Sequence, residues 1–250
     1  NKVPKIMCTV TFIPLNGTYF LTSNRDEKSG RITALPPEIY NGINNRKVYP
    51  KDADAGGTWI ACKDNGSAAV LLNGAFTKHI PSPPYKRSRG LVFLEILDSE
   101  NPVNHFSEIC LNEIEPFTMI ILDESLHECR WDGTEKHCNR LNKSISHIWS
   151  SATLYNDAAV EKRKQWFNAF MKEKPSPGLD DVLHFHQFTG DGDIANDLKM
   201  DRNGVLYTVS VTGIVIEPCS CKMRYLDLKH HTEYETSIAR KPVIQEFGTL

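Results

Sequence analysis

Cys8 opens the first strand-like segment of the chain, and the sequence returns Asn24-Arg25-Asp26-Glu27 to its side. The link is Asn16-Gly17, a pair suited to a two-residue type I′ turn because both central positions need positive φ. With that turn Leu15 faces Thr18, and the sum of the paired residue numbers stays constant outward along the hairpin. Phe12 then meets Leu21, Val10 meets Ser23 and Cys8 meets Arg25. Directly opposed strand residues share a face, with Cβ atoms about 4.5–5.5 Å apart. A thiol beside a guanidinium has a lowered pKa, and the thiolate is the nucleophilic form. Asp26 adds a carboxylate one residue further on. Two plainer readings compete. Cysteine often packs as a small hydrophobe, and Arg25 could pair only with Asp26 or Glu27 as a surface salt bridge. A buried arginine without a partner is costly, so an arginine opposite Cys8 argues for a cleft there rather than core.

Other polar groupings carry less. In a helix over 179–187, Leu179, Val182, Leu183 and His186 share the apolar face while His184 points away, and no Glu stands at metalloprotease spacing. Gly190-Asp191-Gly192-Asp193 with Asn196 and Asp197 lacks EF-hand spacing and reads as a turn. Cys219-Ser220-Cys221 has no third or fourth ligand nearby, so no metal is expected. Gly56-Gly57-Thr58-Trp59 reads first as a tight turn into a strand. Its functional reading is close backbone approach to a ligand, with Trp59 as pocket wall. Arg163 falls on one helical face with Val160 and Phe167. Its head must reach a cleft or snorkel outward, and snorkelling is the expectation.

The elements that must position these groups follow from pattern. Strands are expected at 8–13, 19–24, 58–62, 67–73, 117–123, 126–132, 147–151, 206–217 and 222–228. Helices are expected at 90–98, from an Asn101 N-cap with Pro102 behind it, at 157–172 and at 179–187. Hairpins, then helices, then more hairpins indicate antiparallel sheet with helices on its outer faces. Pro175-Ser176-Pro177-Gly178 reads as a connection between two helices. The whole chain, 1–250, is expected to form a single domain.

Bulk properties exclude some classes. The formal net charge of −2 gives no electrostatic case for nucleic acid or an anionic membrane. No apolar run approaches the ~18–20 residues that span a bilayer. Seven cysteines at scattered spacing suggest free thiols in a reducing compartment, hence a cytoplasmic protein.

Met7-Cys8-Thr9-Val10, Asn24-Arg25-Asp26-Glu27, Gly56-Gly57-Thr58-Trp59, Leu72-Asn73 and Trp149-Ser150-Ser151-Ala152, with a helix carrying Arg163, occur in that order. Over nearly the whole chain this set resembles the NRDE family (transport and Golgi organisation protein 2-like). That family is similar to the N-terminal-nucleophile hydrolases, in particular the cysteine branch of bile-salt hydrolases and penicillin acylases. The resemblance implies an α+β fold, a four-layer αββα sandwich of antiparallel sheets.

It also implies roles. Cys8, once its amino group is free, would be the nucleophile and supply the base. Arg25 would assist the thiolate, Asp26 would hold the α-amine, and Asn73 would help form the oxyanion hole. Asn24, Trp59 and Arg163 would border the substrate. Two positions depart from the branch. Ser151 aligns where a second Asn is usual, a different donor on a shorter side chain. The branch's last catalytic arginine has no clear match. Tyr207 and Thr208 fall near its place, Arg202 and Arg224 fit poorly, and Arg163 could supply charge from elsewhere. Residues 1–7 precede Cys8 and are expected to be a leader or added residues. Met7 as a removable start is a further option.

The expected function is therefore a cysteine amidohydrolase acting on a non-peptide C–N bond of a small acylated compound. An α-amine of pKa ≈ 7.7–8.0 can accept the proton of a thiol near 8.5. The alternative, also implied by the resemblance, is a non-catalytic haem or lipid carrier on the same scaffold. In that case Cys8, His184 or His231 would ligate haem iron. A redox or structural protein with a merely exposed Cys8 is the third reading.

Overall fold

The computed structural model describes residues 9–42 and 44–241. Asn16 and Gly17 take φ values of 49° and 81° and turn β1 (Thr9–Leu15) into β2 (Thr18–Lys28). The pairs Val10–Ser23, Phe12–Leu21 and Leu15–Thr18 are those the turn dictates. Around this hairpin lies a first antiparallel sheet. It adds β10 (His147–Ser150) beside β1, and β12 (Leu206–Ile216), β13 (Ser220–Asp227) and β14 (Thr232–Ala239) beyond β2. Short β11 (Asp201–Arg202) pairs with β12.

The second antiparallel sheet runs in chain order. It comprises β3 (Leu35–Asn41), β4 (Arg46–Lys51), β5 (Ile60–Lys63), β6 (Ala68–Asn73), β7 (Phe117–Leu122), β8 (Leu126–Trp131) and β9 (Lys136–Leu141). Every residue of β6 and β7 is buried, as strands covered on both faces require.

Strand alternation sorts the side chains into layers. Val10, Phe12, Leu21, Ile214 and Ile216 join Ile60, Leu71 and Met119 in the core shared by the two sheets. Their neighbours Ile13, Phe20 and Val215 face the other way. They pack on Phe167 of α3 (Asp157–Glu173) and on Val182 and Phe185 of α4 (Leu179–Phe188). On the far side, α1 (Arg89–Asp98) adds Val92, Phe93, Ile96 and Leu97 to the main core, and α2 (Pro102–Glu108) adds Phe106. The layers are thus helices, sheet, sheet, helices. Asn101 caps α2 by accepting from the Asn104 backbone N–H, with Pro102 at the first turn.

Five strands are absent from the sequence-based expectation: β3, β4, β9, β11 and β14. Three of them, β3, β9 and β14, are edges of their sheets. An edge strand with little buried surface needs no apolar alternation. β9 reads Lys-His-Cys-Asn-Arg-Leu and β14 is exposed at most positions. Pro36 and Pro37 lie in β3, where an edge tolerates the missing donors. Among the described residues no helix is long and apolar enough to cross a membrane.

Candidate functional site

The site lies where β1 begins. Thr9 faces Ser150 of β10, and Val10 faces Ser23 of β2. One row further toward the chain start, β10 continues into Ser151 and β2 presents Arg25. Ser210 of β12 stands opposite Arg25, and Asp227 of β13 opposite Ser210. Cys8 lies outside the described residues.

Alternation assigns Arg25 and Glu27 to the face that meets the second sheet, as for Leu21. Arg25 is 4% exposed. Its Nη2 donates to Glu27 Oε2 at 3.2 Å and to Asp52 Oδ2 at 3.1 Å, and its guanidinium lies over the Trp59 ring, 4.6 Å from the centroid. Arg31 joins this ionic cluster, reaching both oxygens of Asp52 at 2.9 and 3.0 Å, Glu27 at 3.4 Å and Asp54 at 3.7 Å. Burial pushes the Glu27 carboxyl up, against the pull of Arg25 and Arg31. Of the two partners expected for Arg25 at the surface, Asp26 and Glu27, Glu27 pairs with it, but in a buried cluster that adds Asp52. Neither Asp52 nor Arg31 was singled out in the sequence. The Asp52 signal is local, since its Oδ1 accepts from the backbone N–H of Asp54 and Ala55, forming the turn that leads to Gly56.

Asn73 ends β6 on the opposing sheet. It is 1% exposed, and neither its Nδ2 nor its Oδ1 has a hydrogen-bond partner among the described residues. Ser151 Oγ donates to the Asn73 carbonyl at 2.9 Å and contacts Thr153 Oγ1 at 2.9 Å, tying the end of β10 to the end of β6. The Trp59 indole N–H is likewise buried without a partner among the described residues. A shallow recess, large enough for little more than a water molecule, is lined by Arg25, Glu27, Arg31, Tyr207, Tyr225 and Lys229 among others.

The opposite face of β2 looks onto the helices. Asp26 accepts from Thr208 Oγ1 at 2.6 Å and from the Tyr155 hydroxyl at 3.2 Å. Asn24 Nδ2 donates to the carbonyls of His186 and Leu198 at 3.1 and 2.7 Å, which fixes its Oδ1 toward His186 Nδ1. Nδ1 therefore carries the proton, and Nε2 accepts from Thr11 Oγ1 at 2.8 Å. Burial, then the charge of Arg163, lowers the His186 pKa to about 3. Asn24 is thus a tie between β2 and α4.

Arg163 does not snorkel. It is fully buried, donating to Thr9 Oγ1 at 3.0 Å and to the carbonyls of Asn196 and Asp197 at 3.0 and 2.8 Å. Its guanidinium covers the Tyr155 ring at 3.4 Å. Polar backbone from the 196–197 turn, absent from a helical-wheel view of α3, supplies what snorkelling would have sought from water. Arg202 binds the carbonyls of Ala195 and Leu154, and Arg224 is held by Glu233 and Asp180 at the surface.

Gly57 fits the structural reading of its motif. A Cβ there would stand 2.4 Å from the Gly90 backbone carbon, so β5 and the start of α1 approach as only glycine allows. His184 and His231 are exposed, on α4 and in the turn between β13 and β14. Among the described residues no group of three or more His, Cys, Asp or Glu could hold a metal ion.

Comparison with known proteins follows this geometry. The sequence profile of the Transport and Golgi organisation 2 family matches residues 7–238. No match was found among curated protein sequences. Among solved structures, a mutant conjugated bile acid hydrolase from Clostridium perfringens superposes with a TM-score of 0.58 at 10% identity, covering 94% of this chain and 97% of that one. The Caenorhabditis elegans N-acylethanolamine-hydrolyzing acid amidase ortholog gives 0.55 at 13% identity, covering 83% and 92%. The fold is that of the N-terminal-nucleophile hydrolases.

Proposed function

From the premise that the chain belongs to the Transport and Golgi organisation 2 family and has the N-terminal-nucleophile hydrolase fold, we propose that it is a cysteine amidohydrolase. Its substrate would be a small acylated compound with a non-peptide C–N bond, and its nucleophile Cys8. The reading supposes that the hairpin sum that pairs Val10 with Ser23 continues to Cys8 and Arg25. It likewise supposes that the β1–β10 sum that pairs Thr9 with Ser150 continues to Cys8 and Ser151.

The observation that carries the reading is Asn73. A buried carboxamide with no partner costs about 1–3 kcal/mol, so such a group is retained where a ligand or a reacting atom supplies the bond. Its Nδ2 donors suit an oxyanion that exists only in the tetrahedral state. The two structural neighbours are a conjugated bile acid hydrolase and an N-acylethanolamine-hydrolyzing acid amidase ortholog, which supports a hydrolase and, through the second, an amidase.

The chemistry runs as acyl transfer. The thiolate sulfur attacks the amide carbon, and Asn73 donates to the oxygen that becomes negative. The C–N bond breaks as the amine leaves with a proton, and water then cleaves the thioester. The proton acceptor would be the α-amine of Cys8 after cleavage before it, held by Asp26, whose own partners Thr208 and Tyr155 fix its orientation. Ser151 Oγ donates to the Asn73 carbonyl, so it positions the end of β6 rather than offering that proton to the oxyanion. Arg25 shares its charge with Glu27 and Asp52, and its effect on a neighbouring thiolate is correspondingly reduced.

The test is hydrolysis of a panel of N-acyl amides by protein whose first residue, established by intact mass, is Cys8. Turnover lost in Cys8→Ala supports the proposal. Turnover equal in Cys8→Ala and wild type, or none with any amide by the processed chain, overturns it.

A further inference from the structure

The β8–β9 hairpin turns through Gly133 at φ 104°, with the Asp132 N–H bonded to the Glu135 carbonyl at 3.2 Å. Its constant pair sum places Cys129 directly opposite Cys138. The two sulfurs are 3.1 Å apart. Opposed residues in antiparallel strands have Cα atoms about 4.5–5.5 Å apart, within the window that a disulfide spans. Bond formation at about 2.05 Å needs the sulfurs to move by only about 1 Å, with no change of register.

The two thiols differ in setting. Cys129 is fully buried and part of the main core, opposite Met119 on its other side. Cys138 lies on β9, the outer edge of the second sheet, and is exposed. One thiol thus meets solvent and the other waits behind it. The hydrogen bond between them holds the Cys138 thiol below its usual range, while the same bond and burial push Cys129 up. The remaining described cysteines do not offer this arrangement. Cys62 and Cys221 are both fully buried, and Cys110 and Cys219 are exposed in separate loops.

We propose that Cys129 and Cys138 form a peroxide-reactive dithiol, in which Cys138 meets the oxidant and Cys129 resolves it into a cross-strand disulfide. Hydrogen peroxide is the oxidant class. The Cys138 thiolate attacks a peroxide oxygen, an S–O bond forms as the O–O bond breaks, and the departing hydroxide takes a proton to leave as water. The Cys129 sulfur then attacks the sulfenic sulfur. An S–S bond forms, the S–O bond breaks, and the second water carries away the Cys129 proton. Two thiols are oxidised and one peroxide is reduced to two waters. This site uses none of the residues of the proposed hydrolase site and stands whether or not the hydrolase reading does.

The full reduced chain is titrated with hydrogen peroxide, denatured, alkylated and digested for peptide mass mapping. A peptide linked through Cys129 and Cys138 is expected at about tenfold less peroxide than oxidation of Cys110 or Cys219, because the resolving thiol is held in place. Cys138→Ser, a change at an exposed edge position, should abolish the link and leave Cys129 alkylated. Alkylation of both Cys129 and Cys138 at peroxide levels that already oxidise Cys110 and Cys219 overturns the proposal. So does a linked Cys129 that persists in Cys138→Ser.

Discussion

Acid should destabilise this fold through His186 by a predictable amount. The imidazole is sealed under β1 and β2, with its Nδ1 proton committed to Asn24 and its Nε2 accepting from Thr11. Its native pKa of about 3 lies well below the 6.5 of the unfolded chain. Between those values the unfolded state binds the proton that the native state refuses. Stability is therefore full above 6.5 and is lost as pH falls toward 3. Each pH unit inside the window costs up to about 1.4 kcal/mol. Integrated from roughly pH 7 to roughly pH 5, the loss is about 2 kcal/mol. The Glu27 carboxyl, raised by burial, contributes with the opposite sign, so wild type alone does not isolate the histidine. The comparison is with His186→Gln, whose amide can accept from Thr11 and donate to Asn24. Urea unfolding at both pH values should give a pH-dependent loss about 2 kcal/mol smaller in the variant, with m-values unchanged. Equal pH dependence in the two proteins would refute the argument, because His186 would then titrate alike in both states.

Three further outcomes follow from the same geometry. Arg163→Met removes the donors to Thr9 and to the carbonyls of Asn196 and Asp197, and should cost about 3 kcal/mol in urea unfolding. A snorkelling arginine would cost well under half of that. Gly57→Ala drives a Cβ to 2.4 Å from backbone at Gly90, which cannot yield like a side-chain tip, and should lower stability by about 2 kcal/mol or more. Asn73→Ala should reduce amide turnover by about 10²–10³ with little change in Tm, since the side chain's polar atoms bond nothing among the described residues. A large fall in Tm without a kinetic effect would assign Asn73 a purely structural role.

The parts of the fold legible in the sequence are those where one residue pair dictates geometry. Asn16-Gly17 set the β1–β2 register, and Asn101-Pro102 set the start of α2. Strand β12 was readable as a run of Val, Thr and Ile, buried on both faces over its second half, and α3 and α4 by their apolar helical faces. Strands β3, β9 and β14 were not, because edges are written in polar residues. The Cys129–Cys138 pair was hidden with β9, although Asp132-Gly133 carried a turn signal. In the proposed site, Arg25 was singled out by the hairpin register, whereas Asn73 was singled out only by the family resemblance. Asp52 could not, because its partners Arg25 and Arg31 belong to another sheet and the loop behind it. The Arg163 setting depends on two carbonyls far along the chain, which no helical periodicity reports.

The most direct test of the central claim is covalent trapping at Cys8. Processed protein is incubated with an activated acyl donor, quenched in acid and mapped by peptide mass. An acyl group is expected on Cys8 in wild type, released by brief neutral hydroxylamine as a thioester requires, with at least tenfold less of it in Asn73→Ala and none at position 8 in Cys8→Ala. Acylation spread over surface lysines with Cys8 unmodified, or equal labelling of Cys8 in wild type and Asn73→Ala, would contradict it.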